Sequence, residues 1–462
     1  LNYPSKNVII ASMKTLLEEI IADYYEKKLP LGVPREIRLP QVKGRAKTII
    51  GIRRCGKTWF MFQIIRSLLK NGFPKERTLY FNFEDDRLFP LSISLLNEVL
   101  ETYYTMFPSL KDEQCYFFFD EIQNIEGWEK FIRRVLDNEK ADIYISGSSA
   151  KLLSKEIATA LRGRAISIEI FPFSFREFLK ANGIEIKETN LSSKLRLTLT
   201  AYLKKYLTIG GFPEVQGLEK VDRINLLQEL IRSAVYRDVV ERYHIRNPKP
   251  LIVLVNYILG SPASLFSVNK FYRFLKSIGI KASKDYLYMY MEYLSNAYFL
   301  FPVSIYAKSE KVKEQYPVKV YVVDVGLIHA YRKTPQPDWG HILENFVFNE
   351  LRKKGYSIMY FKTKKGKEVD FIVYDPISKK AGLIQVCLSV KEEKTRKREI
   401  GALYEAMEEM DFKEGIIITL TEREEIYLPK GKIDIIPAWS FALAPEKLLT
   451  QELKEKLNFE IF

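Results

Sequence analysis

The stretch Gly51-Ile52-Arg53-Arg54-Cys55-Gly56-Lys57-Thr58 constrains this chain more than any other. It spells G-x-x-x-x-G-K-T between a short apolar run, Thr48-Ile49-Ile50, and a helical pattern that opens at Trp59 and continues through Phe60, Met61, Ile64 and Ile65. Strand, glycine-rich loop and helix in that order make a loop whose backbone N–H groups turn inward on phosphate oxygens. Gly51 and Gly56 permit a curl that a side chain would oppose. The helix adds the positive end of its dipole to the same point. On this pattern Gly51 to Trp59 surround nucleotide phosphates, Lys57 reaches the β- and γ-phosphates, and the Thr58 hydroxyl ligates Mg²⁺.

A partner motif stands further along. Cys115-Tyr116-Phe117-Phe118-Phe119 reads as a buried strand and runs into Asp120-Glu121. An acid at such a strand end holds the water shell of Mg²⁺, and the next acid polarises the attacking water. Asp120 and Glu121 fit these roles in order, so the sequence predicts a nucleotide-hydrolysing core. Ala141 to Ser149 forms another strand pattern, expected beside the phosphate loop. Ser148 and Ser149 at its tip read either as γ-phosphate sensors or as caps for a helix over 150–160. In Leu161-Arg162-Gly163-Arg164, Arg162 and Arg164 read either as fingers on the γ-phosphate of a neighbouring subunit or as solvated loop arginines. The alternation of strands and helices to this point predicts a mainly parallel α/β sheet.

These motifs, followed by Phe171-Pro172-Phe173-Ser174-Phe175-Arg176-Glu177-Phe178 and Gly210-Gly211-Phe212-Pro213-Glu214, resemble those of prokaryotic, largely archaeal, AAA+-type P-loop ATPases. Members of that family carry a C-terminal domain similar to restriction endonucleases. The resemblance covers nearly the whole chain. It implies a lead-in over 1–47, an ATPase core over 48–170, a helical lid over 171–245, a winged helix over 246–335 and a nuclease-like α/β domain over 336–462. It also implies ATP and Mg²⁺ as ligands. In the winged-helix segment the third helix, opening at Ser283 and running through Tyr298, is expected to show Lys284, Tyr288 and Tyr290 to a DNA groove; a protein-packing module is the other reading. In the nuclease-like segment Glu344 and Asp370 match the metal-binding acids of the family. The acid-x-Lys of the next strand is replaced by Gln385-Val386-Cys387. An amide binds Mg²⁺ less well than a carboxylate and a cysteine brings no positive charge, so the fold is expected without dependable cleavage. A final helix is expected to reach about Leu457.

Composition narrows the partners. Lys and Arg total 72 against 58 acids, a net charge of +14, which favours polyanions and points to DNA. Three cysteines (Cys55, Cys115, Cys387) and three histidines lie too far apart in sequence for a disulfide framework or a zinc site. With neither a secretory pattern nor an apolar run of bilayer length, a cytoplasmic protein without membrane association is expected. The functional expectation is therefore an ATPase that couples nucleotide state to DNA, with homo-oligomerisation if the arginines act across subunits. A nucleotide-gated protein-docking switch and an ATP-regulated nuclease are the alternatives.

Overall fold

The computed structural model describes residues 6–147, 161–186, 191–307, 309–331, 338–449 and 451–452. The chain divides into two compact units, Leu1–Ile170 and Phe171–Phe462.

The first unit is built on five parallel strands: β1 (Ala46–Ile50), β2 (Thr78–Asn82), β3 (Cys115–Asp120), β4 (Ala141–Ser146) and β5 (Ala165–Glu169), in the order β2-β3-β4-β1-β5. The apolar runs are near-continuous because a parallel sheet is covered on both faces. Phe117, Phe118 and Phe119 are thus all buried in succession. β4 pairs with β1, as the sequence order implies, with Ile49 opposite Ser146. Asn82 stands opposite Asp120 on the other side. The carboxyl ends of β1, β3 and β4 therefore share one edge, which is where ligands settle in open α/β sheets. The N-terminal helix Lys6–Glu26 is fastened to β2 by the Tyr25 hydroxyl, which donates to the Thr78 carbonyl at 2.8 Å.

The second unit holds two sheets. A three-stranded antiparallel sheet, β6 (Ser264–Phe266), β7 (Leu300–Val303) and β8 (Val318–Val322), has the order β6-β8-β7. Three helices accompany it: Lys249–Gly260, Val268–Ser277 and Lys284–Asn296. Ser283 caps the third by accepting the Tyr286 N–H at 3.2 Å. The larger, mixed sheet contains β9 (Ser357–Lys362), β10 (Glu368–Asp375), β11 (Lys380–Val386), β12 (Glu414–Thr419), β13 (Glu424–Leu428) and β14 (Gly431–Pro437). Its order is β13-β14-β12-β11-β10-β9, with β15 (Gln451–Glu452) added to β11. The helix Trp339–Lys353 packs at its centre and is buried continuously from Ile342 to Leu351.

The structure departs from the sequence pattern at two places. Tyr290 is buried, because it shares a helical face with Leu287, Met291 and Leu294, whereas Tyr288 points outward. The helix expected to reach Leu457 is instead the short Ala438–Leu443, followed by a turn at Pro445 and then the strand β15; the positions from 453 onward lie outside the described residues. Proline at the start of a new turn cannot extend the helix before it. Among the described residues no helix is long and apolar enough to cross a membrane.

Candidate functional site

At the end of β1 the backbone turns through Gly51 (φ +151°), and a Cβ there would lie 2.0 Å from the Ile170 carbonyl oxygen. The loop closes at Gly56 (φ +101°), which precedes the helix Lys57–Lys70 without any side-chain cap. First-turn N–H groups of a helix have no intrahelical acceptor, so here they face the loop as an anion cradle. Lys57 is buried and its ammonium donates to the carbonyls of Gly51 and Ile52 at 3.1 and 3.3 Å, which holds it across the loop.

The end of β3 meets this loop. Asp120, only 2% exposed, accepts the Thr58 hydroxyl at 2.7 Å and the Tyr80 hydroxyl at 2.9 Å on Oδ2, and the Ser146 hydroxyl on Oδ1. Burial raises the Asp120 pKa and the Glu121 charge adds to this; the hydroxyls of Ser146, Thr58 and Tyr80 oppose it. A threonine hydroxyl beside one carboxylate suits Mg²⁺, which keeps several waters and takes phosphate oxygens rather than an all-protein cage. Among the described residues no group of three or more His, Cys, Asp and Glu is arranged to hold a metal. Glu121 follows in the left-handed region at φ +53°, its N–H 3.4 Å from the Ser146 Oγ and its carboxylate receiving the Gln123 amide.

Backbone strain marks the same places. In the first unit, the described non-glycine residues with positive φ are Arg54, Glu121 and Arg162. Each belongs to one of the motifs singled out from the sequence. Such conformations cost about 1–3 kcal/mol and persist where the surroundings over-determine them, which is common at functional sites.

Arg162 and Arg164 lie in the exposed turn before β5, and the Arg164 guanidinium pairs with Asp137. Ser148 lies outside the described residues; Ser146 is the hydroxyl seen at the end of β4. Three supporting residues escaped the sequence reading. Arg35 is buried and donates to the Cys55 carbonyl at 2.8 Å, bracing the loop from the lead-in segment. Tyr80 and Ser146 orient Asp120 from the two neighbouring strands. Only Ser146 carried a signal in the sequence, as the polar residue that ends its strand. Trp59 is half exposed and Cys55 fully buried, its thiol pKa raised by burial.

The second unit assembles another polar cluster in a cavity of about 980 Å³. Glu344 comes from the buried central helix, and Asp370 from β10 where the register with β9 slips between Val369 and Ile372. Such a bulge re-aims a side chain. Glu344, Asp370 and Gln385 therefore line one cavity. Gln385, read as a third metal-side residue, is committed otherwise. Its Nε2 donates to Glu399 at 2.7 Å and its Oε1 accepts the Asp370 N–H at 3.2 Å. The unforeseen member is Lys319 of β8, only 3% exposed, whose ammonium lies 2.9 Å from Glu344, 2.9 Å from Glu368 and 2.8 Å from Asp370. Burial works against that ammonium, but Asp370, Tyr321, Glu344 and Glu368 outweigh it and raise its pKa well above the usual lysine value. Burial, with the Asp370 charge, raises the Glu344 pKa. Burial also pushes the Cys387 thiol up to about 12, away from reactivity.

Outside that cavity, the helices Val268–Ser277 and Lys284–Asn296 and their connection expose Lys270, Arg273, Lys276, Lys281 and Lys284, interleaved with exposed Phe274, Tyr286 and Tyr288.

Residues 43–179 match the AAA domain family, residues 200–338 a domain of unknown function (DUF8612) and residues 339–441 another (DUF4143). An uncharacterized protein of Methanocaldococcus jannaschii is 36% identical over 441 residues, covering 93% of this chain and 96% of that protein. An uncharacterized protein of Haemophilus influenzae is 32% identical over 327 residues, 71% of this chain and 78% of its own. Among solved structures, a Walker-type ATPase of Pyrococcus abyssi is similar at 14% identity and a TM-score of 0.39, covering 69% of this chain and 95% of that one. The Orc1 protein of Aeropyrum pernix in complex with DNA is similar at 12% identity and a TM-score of 0.28, covering 70% and 92%. Both scores fall short of a shared whole-chain fold.

Proposed function

Because this chain belongs to an AAA-type ATPase family, we propose that its first unit binds and hydrolyses ATP with Mg²⁺, and that nucleotide state is coupled to DNA binding by the second unit. The observation that carries the hydrolytic part is the 2.7 Å bond from the Thr58 hydroxyl to Asp120, which joins the glycine loop to the carboxylate at the end of β3. In this reading the loop N–H groups from Gly51 to Thr58 orient the phosphate chain. Lys57 leaves the Gly51 and Ile52 carbonyls to meet the β- and γ-oxygens. Thr58 and Asp120 would hold Mg²⁺, whose chemistry when bound is to neutralise charge on those oxygens. Glu121 orients water for in-line attack. Arg162 and Arg164, exposed in their turn, would reach the γ-phosphate of a second copy in a homo-oligomer.

The DNA part rests on the exposed basic and aromatic side chains around the helix Lys284–Asn296, within a three-helix, three-strand arrangement read here as a winged helix. The remainder of the second unit is read as nuclease-like in fold. Duplex DNA is expected to stimulate ATP hydrolysis at low salt. About four phosphate contacts would cost roughly a hundredfold in DNA affinity between 50 and 200 mM salt, and the stimulation should fade accordingly. Phosphate release measured with and without DNA at both salts checks this. Hydrolysis indifferent to DNA at either salt would favour a protein-docking switch instead.

A further inference from the structure

The divalent metal that a nuclease-like fold implies does not fit the cavity of the second unit. We infer that the Lys319 ammonium stands permanently where such a metal would sit, and that the acid cluster clamps β8 to the central helix and β10 instead of cleaving phosphodiesters. This is independent of the ATPase activity proposed above.

A lysine ammonium has three N–H donors; Glu344 and Asp370 accept from it at 2.9 and 2.8 Å, and the Glu368 carboxylate stands 2.9 Å away as a third ion-pair partner, so the ammonium is enclosed by acids and not presented to a scissile phosphate. Those lengths belong to N–H···O bonds. Mg²⁺ draws its oxygens to about 2.1 Å, so three acids arranged around an ammonium stand roughly 0.7 Å too far out for it. Two of the acids are held by further donors. Glu344 accepts the Tyr321 hydroxyl at 2.7 Å, and Asp370 accepts the Val386 N–H at 2.9 Å.

The same groups join the two sheets. Lys319 and Tyr321 both lie on β8, and the Tyr321 ring stacks on Phe348 with centroids 4.2 Å apart. One helical turn of Trp339–Lys353 carries both Glu344 and Asn345. Asn345 pairs with the Val322 backbone as both acceptor and donor, each at 2.8 Å. The sequence-based expectation looked for a lysine on β11 beside Asp370 and found Cys387. The cation arrives instead from β8, already paired with the acids. With one ammonium among three acids the cluster itself carries no net positive charge toward a phosphodiester backbone, and the other cations of the cavity wall, Lys367, Lys397 and Arg398, stand outside it.

The test is the count of Mn²⁺ bound by the nucleotide-free full chain, read by electron paramagnetic resonance, for the wild type, Asp370→Asn and Lys319→Met. Wild type and Asp370→Asn are expected to bind the same number. Lys319→Met, with its three acids free to close inward, is expected to gain one ion and to show a thermal midpoint that rises with Mn²⁺. A wild-type ion that disappears in Asp370→Asn would overturn the inference, because the lysine must then move aside for a metal. A folded Lys319→Met that binds no additional ion would also overturn it. If Lys319→Met does not fold, the comparison of wild type with Asp370→Asn decides alone.

Discussion

Lys57→Ala is expected to lower ATP turnover by roughly a thousandfold or more while the chain stays folded. The ammonium is held in a buried position at the mouth of the glycine loop, 3.1 and 3.3 Å from two carbonyls of that loop. In a site closed to water, one lost donor to developing charge already costs 10²–10³ in rate, about 3–4 kcal/mol, and this donor is also a full positive charge. Alanine is a strong helix former at a position that opens the helix Lys57–Lys70, so the fold should tolerate it. Phosphate release at saturating MgATP measures the rate, and circular dichroism confirms that the variant is folded. Near-wild-type turnover in a folded variant would place hydrolysis elsewhere.

Gly210→Ala is expected to destabilise the second unit by at least about 4 kcal/mol, enough to unfold many domains of marginal stability. Gly210 lies at φ +80°, ψ −175°, a region that side chains avoid at a cost of about 1–3 kcal/mol. A Cβ there would also stand 1.9 Å from the Asp324 Oδ1, 2.7 Å from the Gly326 nitrogen and 2.8 Å from its Cα. None of these can step aside cheaply. Asp324 is buried and its carboxylate accepts the N–H groups of Gly211 at 2.7 Å and Gly326 at 2.8 Å, with burial pushing its pKa up to about 6. Displacing it would leave those donors, or the carboxylate itself, without partners in the interior. Gly217 provides the control: its φ is also +80°, but nothing lies within 4 Å of its would-be Cβ. Gly217→Ala should therefore cost only the backbone term, about 1 kcal/mol. Denaturant unfolding of the two variants separates the two contributions.

The first unit was largely legible because its chemistry is local in sequence. A loop of eight residues, a strand ending in two acids and the strand–helix alternation carry their own spacing, and the parallel order of the sheet follows from them. What was missed there came through space. Tyr80, Ser146 and Arg35 reach the site only because β2 and β4 flank β3 and the lead-in folds back on the loop. The second unit was legible as elements but not as a site. Lys319 precedes Asp370 by 51 positions and sits on another sheet, so no motif spacing could bring it to the acids. The Gly210-Gly211 pair was recognised as a motif, while its reason, the buried Asp324 turn, lies more than a hundred residues away. Tyr290 was misassigned for want of helical phase, which Leu287 and Leu294 supply.

If Asp120 and Glu121, brought against the glycine loop, make a hydrolytic site for ATP, two readings on one preparation will separate binding from turnover: equilibrium binding of a fluorescent ATP analogue with Mg²⁺, and release of phosphate from ATP. Both are applied to the wild type and to Glu121→Gln. Both proteins are expected to bind nucleotide with similar affinity, the wild type releasing phosphate and Glu121→Gln slowing that release by roughly a hundredfold or more. Binding without phosphate release in the wild type, or equal release by the two proteins, would contradict a hydrolytic site there.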